Sequence, residues 1–172
     1  VIIIESTVYP GLLRELVEKI LGSWSEFNIA HCPERINPGD KQYGLLNIDR
    51  VLGANSLNAL EASCLFYQKI LPQVNIMKLT SVEAAEATKV TENIFRDVNI
   101  ALVNELAQAF YRIGIDVHEV LEAASTKPFG FMKHVPGLGV GGHCIAVDPY
   151  YMIEKGKASG FDHEFLRLAR KI

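Results

Sequence analysis

SVEAAEATKVTENIFRDVNIALVNELAQAFYRI, residues 81–113, decides the architecture. It holds no Gly and no Pro, so nothing interrupts a single helix that would reach ~50 Å at about 1.5 Å per residue. Thr80 or Ser81 is placed to cap it, with Glu83 and Glu86 in its first turns, where acids favour a helix N-terminus. Gly114 ends it, and Asp116 opens a shorter helix to about Ala124. Upstream, the short apolar runs Val1–Ile4, Phe27–His31, Arg50–Ala54 and Asn75–Leu79 read as strands. Between them Leu12–Leu21, set between Pro10-Gly11 and Gly22, is amphipathic, with Leu12, Leu13, Leu16, Val17 and Ile20 on one face. Ser56 caps a second helix from Leu57 to about Leu71, and Ile36–Ile48 reads as a loop. The order β–α–β–β–α–β predicts an open α/β sheet, followed by an all-α region built on the long helix. Downstream of Ser125 the chain is Gly- and Pro-rich to Pro149. A helix over Tyr150–Lys157 then follows, and the first turns of another begin at Gly160-Phe161-Asp162.

Composition narrows the function classes. With a formal net charge of -3 and a pI near 6.0, the 172 residues are not arranged to neutralise a nucleic-acid backbone or an anionic membrane. No apolar run approaches the roughly 18 residues of a membrane span. Cys32, Cys64 and Cys144 stand at wide, irregular spacing without a CxxC pair, which argues against disulfides and zinc and for free thiols in a reducing cytoplasm. His143 beside Cys144 offers only two ligands, so no metal is expected. The first residue, Val1, falls in mid-strand without an initiator Met, and the chain reads as a piece cut from a longer protein.

Four constellations carry possible chemistry. Lys89, Asn93 and Arg96, spaced four and then three, share one face of the long helix, opposite a stripe of Val90, Ile94, Val98, Ala101 and Leu102. They form either a solvated face or a row of donors suited to an anion or a developing oxyanion. Gly137-Leu138-Gly139-Val140-Gly141-Gly142-His143-Cys144 lets backbone approach a ligand closely. A Cys at its end, with Asp148 four residues on, stands like a nucleophile or else like a packed thiol after a tight turn. The loop is not a dinucleotide fingerprint, because a Pro-containing loop rather than a strand precedes it. Ser6 and Thr7 follow a strand at the edge where open α/β sheets bind ligands, although either could simply cap a helix. Glu34-Arg35 also follows a strand, and an ordinary surface ion pair would explain it equally well. Cys32 and Cys64 read as buried packing residues.

Taken in order, S-T-V-x-P-G, C-P-E-R-x-x-P-G, E-A-x-x-x-K-x-x-x-N-x-x-R-D-V-N-I-A and G-V-G-G-H-C-I-x-V-D-P-Y resemble the UDP-glucose/GDP-mannose dehydrogenase family. The resemblance is nearest to its branch acting on UDP-N-acetylhexosamines such as UDP-N-acetylmannosamine and UDP-N-acetylglucosamine. Pro38 and Val147 stand where UDP-glucose enzymes typically carry Glu and Lys. The resemblance implies an NAD-dependent, four-electron oxidation of the C6 alcohol to a uronate for surface polysaccharide precursors, with UDP-N-acetylmannosamine the first substrate expected. By the family's pattern, Cys144 as thiolate would attack the C6 aldehyde to give a thiohemiacetal and then a thioester, which water hydrolyses. Lys89 and Asn93 would steady the C6 oxygen, and Lys89 would favour the thiolate. Asp148 would activate water with Thr7 and Glu34. Arg35, Ile36, Arg96 and Gly141 would contact the UDP-sugar, together with Lys89 and Asn93, and Thr7 would lie near the nicotinamide ribose.

The implied organisation is the end of a Rossmann-like NAD-binding domain over 1–80 and a helical catalytic and dimerisation domain over 81–158. A connector toward a UDP-binding domain would begin at 159–172. The dinucleotide-binding Gly-rich turn is expected before Val1, so the piece alone is expected to be inactive. A homodimer through the helix 81–113 is implied. The alternatives are a UDP-glucose or GDP-mannose dehydrogenase, or an inactive dimerising fragment.

Overall fold

The computed structural model describes the whole chain except Pro38, Lys41, Gly142, His143 and the side chain of Cys144. The chain divides into two compact units, Val1–Thr91 and Glu92–Ile172.

The first unit is α/β. Strands β1 (Ile2–Ile4), β2 (Ile29–His31), β3 (Arg50–Ala54) and β4 (Ile76–Lys78) form one sheet in the order β1-β2-β3-β4. β1 runs parallel to β2 and β3 parallel to β4, each pair joined through a helix, α1 (Leu12–Leu21) and α2 (Leu57–Ile70). β2 and β3 are antiparallel. The reason lies in the connection: the described residues of 32–49 contain no helix to carry the chain back over the sheet, and parallel neighbours need such a crossover. The core is a layer of Ala30, Cys32, Leu52, Ala54, Ala59, Cys64, Tyr67, Leu71 and Val74 between α2 and the sheet. Cys32 and Cys64 are both free and buried, as their apolar settings predict.

The helix α3 spans Val82–Arg112, with the Ser81 hydroxyl accepting from Ala84 N–H at 3.1 Å. The second unit takes up this helix from Glu92 and adds α4 (Val117–Ser125), α5 (Cys144–Ala158) and α6 (Glu164–Ala169). Asp116 caps α4 by accepting from His118 N–H at 2.9 Å. Val103, Val117 and Leu121 are buried together against Ala107 and Phe110.

Three expectations need correction. The helix read over Tyr150–Lys157 begins at Cys144 and contains Pro149. Pro149 is the sixth residue of this helix, so its missing N–H leaves the Ile145 carbonyl, one turn back, without its intrahelical donor. On α1, Leu13 and Val17 are buried, whereas Leu16 and Ile20 of the same apolar face are exposed. On α3 the buried face is not the apolar stripe. Val90 and Ala101 are buried, but they share that face with Glu86, Asn93, Asp97 and Asn104, while Leu102 is half exposed.

Candidate functional site

A buried polar side chain in a helix costs stability unless it finds a partner. α3 carries four such side chains, and each is tied to a different segment. Glu86 accepts from Gly11 N–H at 2.6 Å and Leu13 N–H at 3.0 Å, and so closes the N-terminus of α1, where Gly11 supplies no side-chain cap. Its place three residues after Glu83 reads in sequence as capping of its own helix; its partner is in fact α1, while Glu83 pairs with Arg14 at 2.9 Å. Asn93 donates from Nδ2 to Asp148 Oδ2 at 2.5 Å. Asp97 accepts from Arg170 Nη1 at 2.5 Å, with burial pushing its carboxyl above the ordinary range against the pull of Arg170. Asn104 accepts from Gly137 N–H at 2.8 Å.

In the second unit these contacts organise the Gly-rich segment and α5. Asn104 fixes the start of the segment at Gly137, and Gly139 adopts a φ of 103°, a left-handed conformation that favours glycine. Asn93 and Asp148, both chosen from the sequence, are each 3% exposed. Their contact gives the amide a fixed orientation and gives the carboxylate a neutral, directional donor. Arg96, read as a neighbour of Asn93 on one functional face, is exposed, as is Gly141. The backbone of Cys144 forms the first residue of α5, one turn before Asp148; the assignment of its thiol as nucleophile lies outside the described residues. His143 and Gly142 also lie outside them.

In the first unit the segments following β1 and β2 run side by side. Cys32 N–H donates to Ile4 O at 3.0 Å and Glu34 N–H to Glu5 O at 3.1 Å. Thr7 and Lys89 are half-buried. Glu34 does not pair with Arg35 through its side chain. Its Oε1 accepts the N–H groups of Arg35 at 2.6 Å and Ile36 at 2.8 Å, and its Oε2 accepts from Arg50 Nη2 at 3.0 Å. Burial pushes the Glu34 carboxyl up, but the Ile36 and Arg35 amides and the Arg50 guanidinium outweigh it and hold the group below the ordinary carboxylate range. Arg35 turns its guanidinium to Asp49 O at 3.0 Å. Arg50 itself is 1% exposed, and Glu5 accepts from Tyr67 Oη at 2.6 Å nearby. The sequence reading missed Arg50, Glu5 and Tyr67. An Arg heading the otherwise apolar strand R-V-L-G-A was the available signal, since a buried guanidinium requires a carboxylate.

NAD has a partial fit to these residues. Thr7 stands past the carboxyl end of β1, the edge where open sheets receive nicotinamide cofactors. The N-terminus of α1, the natural seat for a pyrophosphate, is already filled by the Glu86 carboxylate. The Gly11 and Leu13 amides at that helix start are therefore already engaged.

Two family models match the chain in succession. Residues 1–71 match the NAD-binding domain and residues 83–172 the central domain of the UDP-glucose/GDP-mannose dehydrogenase family. The chain is 43% identical to UDP-N-acetyl-D-glucosamine 6-dehydrogenase of Salmonella typhi, covering 100% of this chain and 41% of that protein. It is 40% identical to UDP-N-acetyl-D-mannosamine dehydrogenase of Methanocaldococcus jannaschii, covering 99% of this chain and 38% of that one. Among solved structures, UDP-D-ManNAc dehydrogenase of Pyrococcus horikoshii superposes with a TM-score of 0.86 at 38% identity, over 98% of this chain and 40% of that one. The chain thus spans about two-fifths of the length of the relatives it matches. With both matched domains in order and the α/β-then-helical fold in place, the chain belongs to the UDP-glucose/GDP-mannose dehydrogenase family.

Proposed function

We propose that this chain carries the catalytic middle of an NAD-dependent 6-dehydrogenase that oxidises the C6 alcohol of a UDP-N-acetylhexosamine to the uronate, as a precursor of surface polysaccharide. The observation that carries the reading is the buried Asn93–Asp148 contact at 2.5 Å, one helical turn beyond the Cys144 position. A neutral amide locked against a buried carboxylate is a poor stabilising device for a core but a good orienting device for a reacting oxygen.

Bound with Thr7 near its nicotinamide ribose, NAD would supply the hydride acceptor for both oxidations at C6. Lys89 and Asn93 stabilise negative charge on the C6 oxygen. Cys144, as thiolate, adds to the aldehyde, forming the C–S bond of a thiohemiacetal; its oxidation leaves a thioester. Water, oriented by Asp148 with Thr7 and Glu34, then breaks the C–S bond and returns the thiol. Lys89 favours the thiolate of Cys144. Arg35, Ile36, Arg96 and Gly141 contact the nucleotide sugar, and exposed Arg96 and Gly141 are open to one. Homodimerisation through the long helix is supported by its exposed Phe95 and Leu102. Functionally the chain divides into an NAD-binding part over 1–80, a catalytic and dimerising part over 81–158, and a connector from 159.

Relatives named for the glucosamine and the mannosamine substrate lie at 43% and 40% identity, which supports a UDP-N-acetylhexosamine as the substrate class. UDP-N-acetylmannosamine is our first choice. The test is a panel of UDP-N-acetylmannosamine, UDP-N-acetylglucosamine, UDP-glucose and GDP-mannose given to the full-length protein with NAD. NADH formation with an N-acetylhexosamine, far above that with the other two, is the expected result. Preference for UDP-glucose or GDP-mannose, or no turnover of any of them, overturns the reading. In the same protein, Cys144→Ser should release no uronate in a single turnover; release at the parent rate contradicts the covalent route.

A further inference from the structure

Arg50 is buried to 1% exposure at the head of β3, and its Nη2 lies 3.0 Å from Glu34 Oε2. Its Nη1 is 3.8 Å from Glu5 Oε1, beyond hydrogen-bond distance, and neither Nη1 nor Nε finds an acceptor. Glu34 is therefore the hydrogen-bonded acceptor of this guanidinium among the described residues. A buried cation left without its hydrogen-bonded carboxylate is strongly disfavoured. That cost binds the charge state of Glu34 to the presence of Arg50.

The sheet topology makes this contact possible. Because β3 runs antiparallel to β2, its first residue is delivered to the edge where β2 ends, next to the segment that bears Glu34. A parallel β3 would have placed Arg50 at the opposite edge. The other groups around this carboxylate are Glu5 beyond β1, Tyr67 from α2, Cys32 and Arg35 of its own segment, and Asp49 before β3. Among the described residues, Arg50 is the cation that touches it.

A carboxylate offers roughly four acceptor sites. Three are taken, by Arg35 N–H, Ile36 N–H and Arg50. The side chain of Glu34 nevertheless remains 35% exposed.

We infer that Arg50 is the positioning residue of Glu34: it holds that carboxylate turned so that, among the described residues, a single acceptor site remains for a water or a hydroxyl. Glu34 then serves as a fixed anionic acceptor rather than as a group that takes up and releases protons during turnover. Arg50 acts only through Glu34 and touches no substrate. The inference rests on the role proposed above for Glu34.

The test titrates the Glu34 carboxyl by carbon NMR in glutamate-labelled protein, assigned by its loss in Glu34→Gln. It also records the acid limb of kcat/KM, in the parent, Arg50→Met and Arg50→Lys. In Arg50→Met both the carboxyl midpoint and the acid limb should rise by about one pH unit, as expected when a contacting counter-charge is removed. Arg50→Lys, which keeps the charge but not the reach, should fall between the two. An unchanged Glu34 midpoint in Arg50→Met overturns the inference, and if that variant does not fold, an unchanged midpoint in Arg50→Lys does so. A purely structural role would lower stability and leave the midpoint and the limb where they were. If the parent makes no uronate, the proposed function fails, while the Glu34 titration still decides the role of Arg50.

Discussion

Asn93 and Asp148, 55 residues apart in sequence, meet at 2.5 Å with both side chains buried. The contact joins α3 to α5 within the second unit and fixes the rotamer of each partner. Replacing Asn93 with Ala should remove a buried donor and lower stability by about 1–3 kcal/mol. If the pair also orients a reacting oxygen, kcat should fall on the order of 100-fold or more. Urea denaturation and steady-state kinetics on the same variant separate the two effects. A normal kcat alongside reduced stability would reduce the pair to a structural tie.

Glu86 closes the N-terminus of α1 from a different helix. Glu86→Ala should cost about 1–3 kcal/mol, since it strips acceptors from two N–H groups that nothing else on α1 caps. Hydrogen exchange should rise at Gly11 and Leu13 before it rises in β2 or β3. Uniform loss of protection across the first unit, or none, would argue against this local cap.

How far the sequence could foresee this site depends on the kind of partner each residue needs. The strands, the helices α1 to α4 and the Ser56, Ser81 and Asp116 caps are local, and they lie within a residue or two of where spacing put them, whereas α5 begins six residues before its expected start. Lys89, Asn93 and Arg96 were readable as a helical row, yet only Asn93 is buried, because the partners that set the inward face come from distant segments. The same holds for Glu86 and Arg50. A charged residue shows its need for a partner in the sequence, but the partner's position is settled only when the sheet and helices assemble. Pro149 misled for a simpler reason: proline looks like a helix boundary wherever its depth in the first turns is unknown.

His31 sits in β2 with no exposure, and burial lowers its imidazole from 6.5 to about 4, against a weaker upward pull from the Ile4 carbonyl. The unfolded chain takes up a proton below about pH 6.5 that the folded chain refuses until about pH 4. Stability therefore falls as pH falls through that window, by about 3 kcal/mol in all. His31→Leu should flatten this part of the curve relative to the parent in unfolding titrations. Parallel curves for the two proteins would refute the assignment.

Gly53 lies in β3 under the start of α3, and a Cβ there would fall 2.0 Å from the Ser81 carbonyl oxygen. That oxygen belongs to the backbone, so it cannot swing aside. Gly53→Ala should destabilise the first unit by about 1–3 kcal/mol or more, visible as a lowered Tm. A Tm equal to the parent's would mean that the helix start can shift without cost.

The central claim is a double oxidation at one carbon, and its most direct measurement is the number of NADH molecules formed per molecule of UDP-N-acetylhexosamine consumed. The assay uses the full-length protein, with the sugar product identified by mass spectrometry. The account predicts two NADH for each uronate, with no aldehyde released. One NADH per sugar with free aldehyde, or consumption of sugar without NADH, would contradict it.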